Sequence, residues 1–164
     1  MRSDDTPDDT RAETPDDPTA RKRRVAATYD QIADHFAETR HHPWPEVREF
    51  LADRSATVGV DVGAGNGRHA ELLADRTQRV ITLDVSRELL GTARERAAER
   101  GYATALAPVA GDAGRLPVAT GAVGLAVYVA TLHHLPTRET RVGSLSELAR
   151  VLGPGGRGLV SAWS

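Results

Sequence analysis

The stretch TVGVDVGAGNGRH, residues 57–69, decides the fold of this chain. Its first half is a short apolar run typical of a buried strand, and its second half carries three glycines spaced G-x-G-x-G. Glycine lets the backbone turn sharply and approach a ligand that a Cβ atom would push away. The pattern therefore predicts a strand, then a tight turn that binds a nucleoside-type cofactor, and then a helix.

This turn differs from the dinucleotide-binding pattern G-x-G-x-x-G. The last glycine of that pattern is replaced by Arg68, whose bulk disfavours the close helix packing of an NAD site. Tight glycine turns also occur in loops that bind nothing, so the turn alone leaves a purely structural role open.

Three acidic residues end or follow three apolar segments in this region. Asp61 lies in the first segment, Asp84 ends the run RVITLD, and Asp112 follows residues 104–110. Because ligands of parallel sheets lie across the carboxyl ends of the strands, we expect the three acids to converge. In that arrangement Asp61 holds a cationic group, Asp84 holds two ribose hydroxyls and Asp112 accepts from an adenine amino group. Taken alone, each acid also has the commoner interpretation of a helix N-cap or a loop residue.

The composition predicts one folded domain behind a charged tail. Residues 1–20 hold seven acids, two arginines and three prolines, with no large apolar residue after Met1, so we expect a disordered acidic tail. Residues 21–164 then form the folded domain, with 19 basic and 16 acidic residues. This mild positive charge permits an RNA substrate without requiring one. The basic run RKRR at residues 21–24 has two interpretations, either a contact with phosphate or a solvent-exposed charged segment.

The chain has no cysteine, which excludes disulfides and thiolate metal sites and is compatible with a reducing cytoplasm. We find no signal-peptide pattern and no apolar segment of membrane-spanning length, so we expect a cytoplasmic protein that does not enter a membrane. The six histidines match no zinc-binding spacing, and no metal is expected.

Helical and strand-like patterns alternate along the folded part. The predicted helices are 25–38, 46–54, 68–76, one capped by Ser86 that reaches 99 and stops at Gly101, and 138–152 after Thr137; the predicted strands are 57–62, 79–83, 104–110, 122–130 and 158–163. Strands that alternate with helices predict an α/β fold, a doubly wound, parallel, Rossmann-like sheet of about five strands.

These features resemble the class I S-adenosylmethionine-dependent methyltransferases over residues 25–163. Three segments are similar to the tRNA wobble-uridine methyltransferases, which esterify carboxymethyluridine: YDQIADHFAETRHHPWPEVREFL at 29–51, LHHLPTRETRVGSLSELARVLGPGG at 132–156 and LVSAW at 159–163. The TRHHPWP signature is the most specific of these matches. The resemblance implies S-adenosyl-L-methionine as cofactor, with the ammonium of its tail on Asp61.

The residue patterns and the resemblance together predict one cofactor site. Its members are Tyr29, Asp61, Gly63, Ala64, Gly65, Asn66, Gly67, Asp84, Val85, Asp112 and Ala113. Two of these residues also have a structural alternative. Tyr29 could instead face the core from an amphipathic helix, and Asn66 could instead stabilise the turn conformation.

The expected acceptor is a carboxylate, which is already ionised at neutral pH and needs placement rather than a general base. Arg40 is the candidate that orients it, and His133 is the second catalytic candidate. His41, Trp44 and His134 are the expected substrate-binding residues, with Trp44 stacked on a base. Each candidate also has a structural alternative. Arg40 could lie on the surface without a function, Trp44 could anchor the domain, and of His133 and His134 one could pack and the other be solvated.

The end of the chain departs from the family. The usual C-terminal strand pair is lacking, which predicts a C-terminally truncated domain with an uncovered apolar surface. The resemblance implies a tRNA substrate and a small zinc-binding activator protein. The alternatives are a small-molecule methyltransferase, a non-catalytic cofactor-binding subunit that needs a partner chain, and, as the weakest, an NAD-binding module.

Overall fold

The structure is a computed structural model that describes residues 18–31 and 42–162. Helices and strands alternate through these ranges, as the sequence pattern predicts. The helices are α1 (Pro18–Gln31), α2 (Pro45–Leu51), α3 (Arg68–Ala74), α4 (Arg87–Arg100) and α5 (Arg138–Val151), and the strands are β1 (Ala56–Val62), β2 (Thr77–Asp84), β3 (Leu106–Ala110), β4 (Val123–Val129) and β5 (Leu152–Ser161). Among the helices in the described ranges, none has both the length and the apolar character needed to cross a bilayer.

The five strands form one parallel sheet in the order β3-β2-β1-β4-β5. The chain adds β2 and β3 on one side of β1 and then returns to place β4 on the other side. The strand order therefore reverses between β1 and β4, which is the point where open α/β sheets bind ligands. Asp61 lies at this point, because it pairs with Thr82 of β2 and Val127 of β4. The predicted parallel α/β sheet of five strands is confirmed.

Apolar side chains cover both faces of the sheet. In β4, Ala126 and Tyr128 belong to one core cluster, while Leu125 and Val127 belong to the other. This division follows from the strand geometry, since successive side chains point to opposite faces. A strand buried on both faces must be apolar throughout, which is why β4 reads VGLAVYV.

The predicted capping residues are confirmed. The side chain of Ser86 accepts a hydrogen bond from the backbone N–H of Leu89, and Gly101 ends α4 in the left-handed conformation at φ 80°. Thr137 caps α5 by accepting from the backbone N–H of Thr140. These local signals were sufficient because each depends on residues within one turn of the helix end.

The predicted start of the last strand at residue 158 is wrong, because β5 begins at Leu152 directly after α5. Leu152 pairs with Val123, whereas Arg157 pairs with Leu125, so the intervening glycines and proline bulge out of the ladder. Glycine and proline in succession predict a break between the helix and the strand at this Gly-Pro-Gly-Gly run. A strand tolerates it because a bulge needs no ladder hydrogen bond from the proline.

The first helix begins seven residues earlier than predicted. Pro18 is the first residue of α1, a position where a missing backbone N–H costs nothing. The helix takes in the last three residues of the predicted tail, and Ala20 is buried. Residues 1–17 and 32–38 lie outside the described residues, so the tail itself and the second half of the predicted helix stay predictions.

Candidate functional site

A cavity lies over the carboxyl ends of β1 to β4, at the point where the strand order reverses. Val25 of α1 also lines it. The strand ends contribute Gly63, Ala64, Gly65 and Asn66 after β1, Leu83, Asp84 and Val85 at β2, Gly111, Asp112 and Ala113 after β3, and Val129, Ala130, Thr131 and His134 at β4. The structure thus brings together eight of the eleven residues predicted to bind a cofactor.

Two glycines of the turn are required by neighbouring chain segments. Gly63 has φ 70°, and a Cβ atom there would lie 2.1 Å from Oγ1 of Thr131. Gly67 has φ 76°, and its Cβ atom would lie 2.9 Å from that of Ala93 in α4. Gly67 precedes α3 and is not part of the cavity lining. Gly67 lets α3 and α4 approach each other closely, and its predicted contact with a cofactor stays a prediction.

Asp84 holds the glycine turn against the end of β2. Its Oδ2 accepts a hydrogen bond from the backbone N–H of Gly65 at 2.8 Å, and its Oδ1 accepts from that of Ser86 at 2.9 Å. Asp84 is buried and lines the cavity.

Asp112 closes a tight turn after β3. Its Oδ1 accepts from the backbone N–H of Gly114 at 2.7 Å, and its backbone carbonyl accepts from the N–H of Arg115 at 3.0 Å. Side-chain acceptors of this kind stabilise turns by replacing a backbone carbonyl. The turn places Asp112 and Ala113 in the lining of the cavity.

Asp61 is buried beneath the turn rather than in the cavity lining. Its Oδ2 atom has no hydrogen-bond partner in the part of the chain that the structure describes. Burial, and then the negative charge of Asp84, raise the pKa of Asp61 to about 7, against an opposing effect of Arg68. Asp61 is therefore a buried acid with one oxygen unpartnered among the described residues, and its contact with a cationic group stays a prediction.

Asp61→Asn is expected to remove one component of the pH dependence of folding stability, the component in which stability falls as pH rises. The folded chain keeps a proton on Asp61, with a pKa of about 7, that the unfolded chain releases near 3.8. This contribution to stability is complete below the unfolded pKa and is lost as pH rises through the folded one, by up to about 4 kcal/mol. Asparagine does not titrate, so the Asp61 contribution to the slope disappears, while His69, whose lowered pKa makes stability rise with pH, still contributes.

Urea unfolding of both proteins at about pH 5 and about pH 8 measures this difference. The exposed Asp53 offers a matched control, since Asp53→Asn should keep the slope of the parent chain. Parallel stability curves for the parent chain and Asp61→Asn would contradict the assignment.

Arg68 and His69 line the cavity and were not predicted as site residues. The Arg68 guanidinium carbon lies 5.6 Å from the centre of the Trp44 ring, and the residue is buried. Burial, followed by the charges of Arg68 and Arg96, lowers the pKa of His69 to about 3, so its ring is neutral at physiological pH. Their position in the first turn of the helix after the glycine turn was the signal that could have identified them.

Trp44 anchors α2 to α3. Its backbone N–H donates to Nε2 of His69 at 3.4 Å, and the two rings meet edge to face with centroids 6.3 Å apart. Its side chain also packs against the core cluster that contains Val47 and Leu73. These contacts favour the domain anchor over the base-stacking residue among the two interpretations that the sequence left open.

The two histidines after β4 differ in their access to the cavity. Both lie in a short 3-10 turn, Leu132–His134, with ring centroids 4.2 Å apart. His134 belongs to the cavity lining, whereas His133 does not. The Nδ1 atom of His133 is buried without a hydrogen-bond partner among the described residues. The geometry therefore favours His134 as the contact residue over His133, the predicted catalytic one.

Three predicted site residues cannot be placed. Tyr29 belongs to α1, but its side chain lies outside what the structure describes, and Arg40 and His41 lie outside the described residues. Within the described ranges, no group of three or more histidine, cysteine or acidic residues is arranged to hold a metal ion.

A family model described as "Methyltransferase domain" matches residues 60–160. This match covers more than half of the chain and includes the glycine turn and the strand ends that form the cavity. The chain belongs to this methyltransferase family, which confirms the family expected from the sequence.

Curated relatives extend the similarity to tRNA modification. The tRNA (carboxymethyluridine(34)-5-O)-methyltransferase ALKBH8 of Mus musculus is 38% identical over 144 residues, which cover 87% of this chain and 20% of that protein. The tRNA (carboxymethyluridine(34)-5-O)-methyltransferase of Saccharomyces cerevisiae is 33% identical over 141 residues, which cover 85% of this chain and 48% of that protein. The chain thus spans between about a fifth and a half of the length of these relatives.

Solved structures share the fold. The cyclase SpnF superposes with a TM-score of 0.71 at 23% identity, covering 82% of this chain and 58% of its own. A Haloferax volcanii methyltransferase structure, solved as a complex with the Trm112 methyltransferase activator, gives a TM-score of 0.66 at 23% identity, covering 84% of this chain and 57% of its own. At this identity the similarity establishes a shared fold and not a shared activity. One of the two proteins is named as a cyclase, which illustrates the difference.

Proposed function

We propose that this chain is an S-adenosylmethionine-dependent methyltransferase that esterifies the carboxymethyl group of a tRNA wobble uridine. The observation that carries the proposal is the cavity at the switch point, where the glycine turn, Asp84 and Asp112 meet. The two relatives named as carboxymethyluridine methyltransferases support the choice of acceptor. Because tRNA is the proposed substrate, we also propose a cytoplasmic location.

The residues at the cavity fit the proposed cofactor. Asp84, at the end of β2, would accept from the ribose hydroxyls, and Asp112 and Ala113 would contact the adenine. Asp61 and Arg68 stand on either side of the glycine turn in the chain, and both are buried. A buried acid and a buried cation near one turn suit a zwitterionic amino-acid tail. Asp61 lies beneath the turn and outside the cavity lining, so its carboxyl group would attract the ammonium as a charge below the cavity, and the ammonium would in turn favour its ionised form.

The cofactor supplies a methyl group on a sulfonium when bound. The chain then has to hold an acceptor carboxylate in line and exclude water, since a carboxylate needs no general base at neutral pH. His69 and His134 line the same cavity, so these rings can contact the acceptor, and an ionised carboxylate has no proton for them to remove. Arg40 remains our proposal for the group that orients the carboxylate.

We also propose that a small activator protein binds this chain. A protein of the same fold has been solved with the Trm112 activator, and β5 lies at one edge of the described sheet. A non-catalytic subunit that binds the cofactor and requires a partner chain for turnover is the second candidate.

The test is methyl transfer from labelled S-adenosylmethionine to tRNA that carries carboxymethyluridine at the wobble position, with the same tRNA carrying unmodified uridine as control. The chain is assayed alone and with a Trm112-type activator. We expect transfer to the first tRNA only, as a base-labile methyl ester. Cofactor binding without transfer under either condition would favour the non-catalytic subunit, and failure to bind S-adenosylmethionine would overturn the proposal.

A further inference from the structure

The peptide unit between Ala113 and Gly114 is hydrogen-bonded on both sides. Its carbonyl, that of Ala113, accepts from Oγ of Ser144 at 2.7 Å. Its N–H, that of Gly114, donates to Oδ1 of Asp112 at 2.7 Å. Asp112 and Ala113 line the cavity, so one peptide plane connects the cavity wall to the side of α5.

The bond between Tyr128 and Ser144 continues this connection into the core. The two hydroxyl oxygens lie 2.8 Å apart, and the two residues are 0% and 1% exposed. A serine hydroxyl has one proton, and Ser144 gives it to Ala113, so Tyr128 must be the donor to Ser144. The relay therefore runs in one direction, from the Tyr128 hydroxyl through Ser144 to the carbonyl of Ala113.

The relay is stable because every member is buried. Burial and the negative charge of Asp112 raise the pKa of Tyr128, while its bond to Ser144 has the opposite effect, so the phenol keeps its proton. Hydrogen bonds that are linked in series away from water strengthen one another. An unpaired hydroxyl or carbonyl at this depth would be costly, which holds the peptide unit in one orientation.

We propose that Tyr128 and Ser144 are positioning residues that direct the Asp112 carboxylate toward the base of the cofactor. The inference rests on the proposed cofactor. Rotation of the peptide unit between Ala113 and Gly114 would take the Gly114 N–H away from Asp112 and so remove the hydrogen bond that sets the direction of its Oδ1 atom. A carboxylate in a fixed direction selects a 6-amino purine, which donates to it, over a 6-oxo purine, which presents a carbonyl oxygen instead.

The test compares the affinities of the full chain for S-adenosylhomocysteine and for its 6-oxo counterpart, S-inosylhomocysteine, by calorimetric titration. The parent chain should prefer the amino compound. In Ser144→Ala the ratio of the two affinities should fall by about fivefold or more, and in Tyr128→Phe it should fall by less, because the bond from Ser144 to Ala113 remains. Ser146→Ala is the matched control, since Ser146 lies on the same helix, is exposed and bonds only within the helix to Val142.

A ratio that stays at the parent value in Ser144→Ala, with reduced thermal stability, would show a structural role only and overturn the inference. If Ser144→Ala does not fold, Ser144→Cys, whose thiol is a weaker donor of similar size, takes its place, and an unchanged ratio there has the same meaning. If the parent chain binds neither compound, the proposed cofactor is overturned together with this inference. That outcome is distinct from an unchanged affinity ratio, which overturns only the positioning role.

Discussion

Gly63→Ala is expected to lower the free energy of unfolding by about 3 kcal/mol or more. The new Cβ atom would lie 2.1 Å from Oγ1 and 2.5 Å from Cγ2 of Thr131, and the backbone has φ 70° at this position. The strain of a left-handed conformation accounts for about 1 to 2 kcal/mol, and the collision accounts for the rest. Urea unfolding measures the loss.

Two further variants separate these causes. Gly143→Ala lies in α5 with no atom within 4 Å of its Cβ position, and it should leave stability unchanged or raise it by up to about 1 kcal/mol. The double variant Gly63→Ala with Thr131→Gly removes the collision and should recover the steric part of the loss only. A loss for Gly63→Ala no larger than that for Gly143→Ala would show that the turn does not pack against Thr131.

Asp84→Ala is expected to lower both stability and cofactor affinity. The substitution leaves the backbone N–H groups of Gly65 and Ser86 buried without their acceptor, at about 1 to 3 kcal/mol each. The proposed ribose contact is lost as well. Since the charge of Asp84 raises the pKa of Asp61, its removal should also shift the pH dependence of stability to lower pH.

Urea unfolding and titration with S-adenosylhomocysteine measure the two effects on the same protein. Asp84→Asn keeps the shape and one carbonyl oxygen, so it should fall between the parent chain and Asp84→Ala. Asp53→Ala removes an exposed acid and should change neither quantity. Reduced stability with unchanged affinity would restrict Asp84 to holding the glycine turn.

The sheet and the strand-end convergence were predictable because their signals are contiguous in the sequence. The apolar run before the glycine turn and the acids Asp84 and Asp112 each belong to a short segment, and the rule for parallel sheets brings such segments together. No contact between distant residues had to be known. The family could be expected for the same reason, since its motifs are continuous stretches.

The remaining features depend on tertiary packing. The burial of Asp61 beneath the turn follows from its position between β2 and β4, which a linear motif does not specify. The neutral state of His69 depends on Arg96 of α4, and the role of Gly67 depends on Ala93 of the same helix. Each of these residues acts through a partner about 20 positions away in the chain or more, beyond the reach of local patterns.

The junction between α5 and β5 has no intervening loop, because Val151 ends the helix and Leu152 begins the strand. Ser144 and Arg150 of this helix are bonded to the segment between β3 and β4. A shift of the helix along or about its axis is therefore passed directly to the strand. A residue inserted or deleted at the junction would turn the helix face by about 100° or flip the strand face, and neither shift could be absorbed locally. The bulging Gly-Pro-Gly-Gly run begins at the next residue, and Cβ atoms at Gly153 and Gly156 would lie 2.7 Å and 2.9 Å from the carbonyl oxygens of Gly121 and Val123, so it offers no free space either. Insertions and deletions, natural or engineered, are therefore expected to be tolerated only outside residues 151–156.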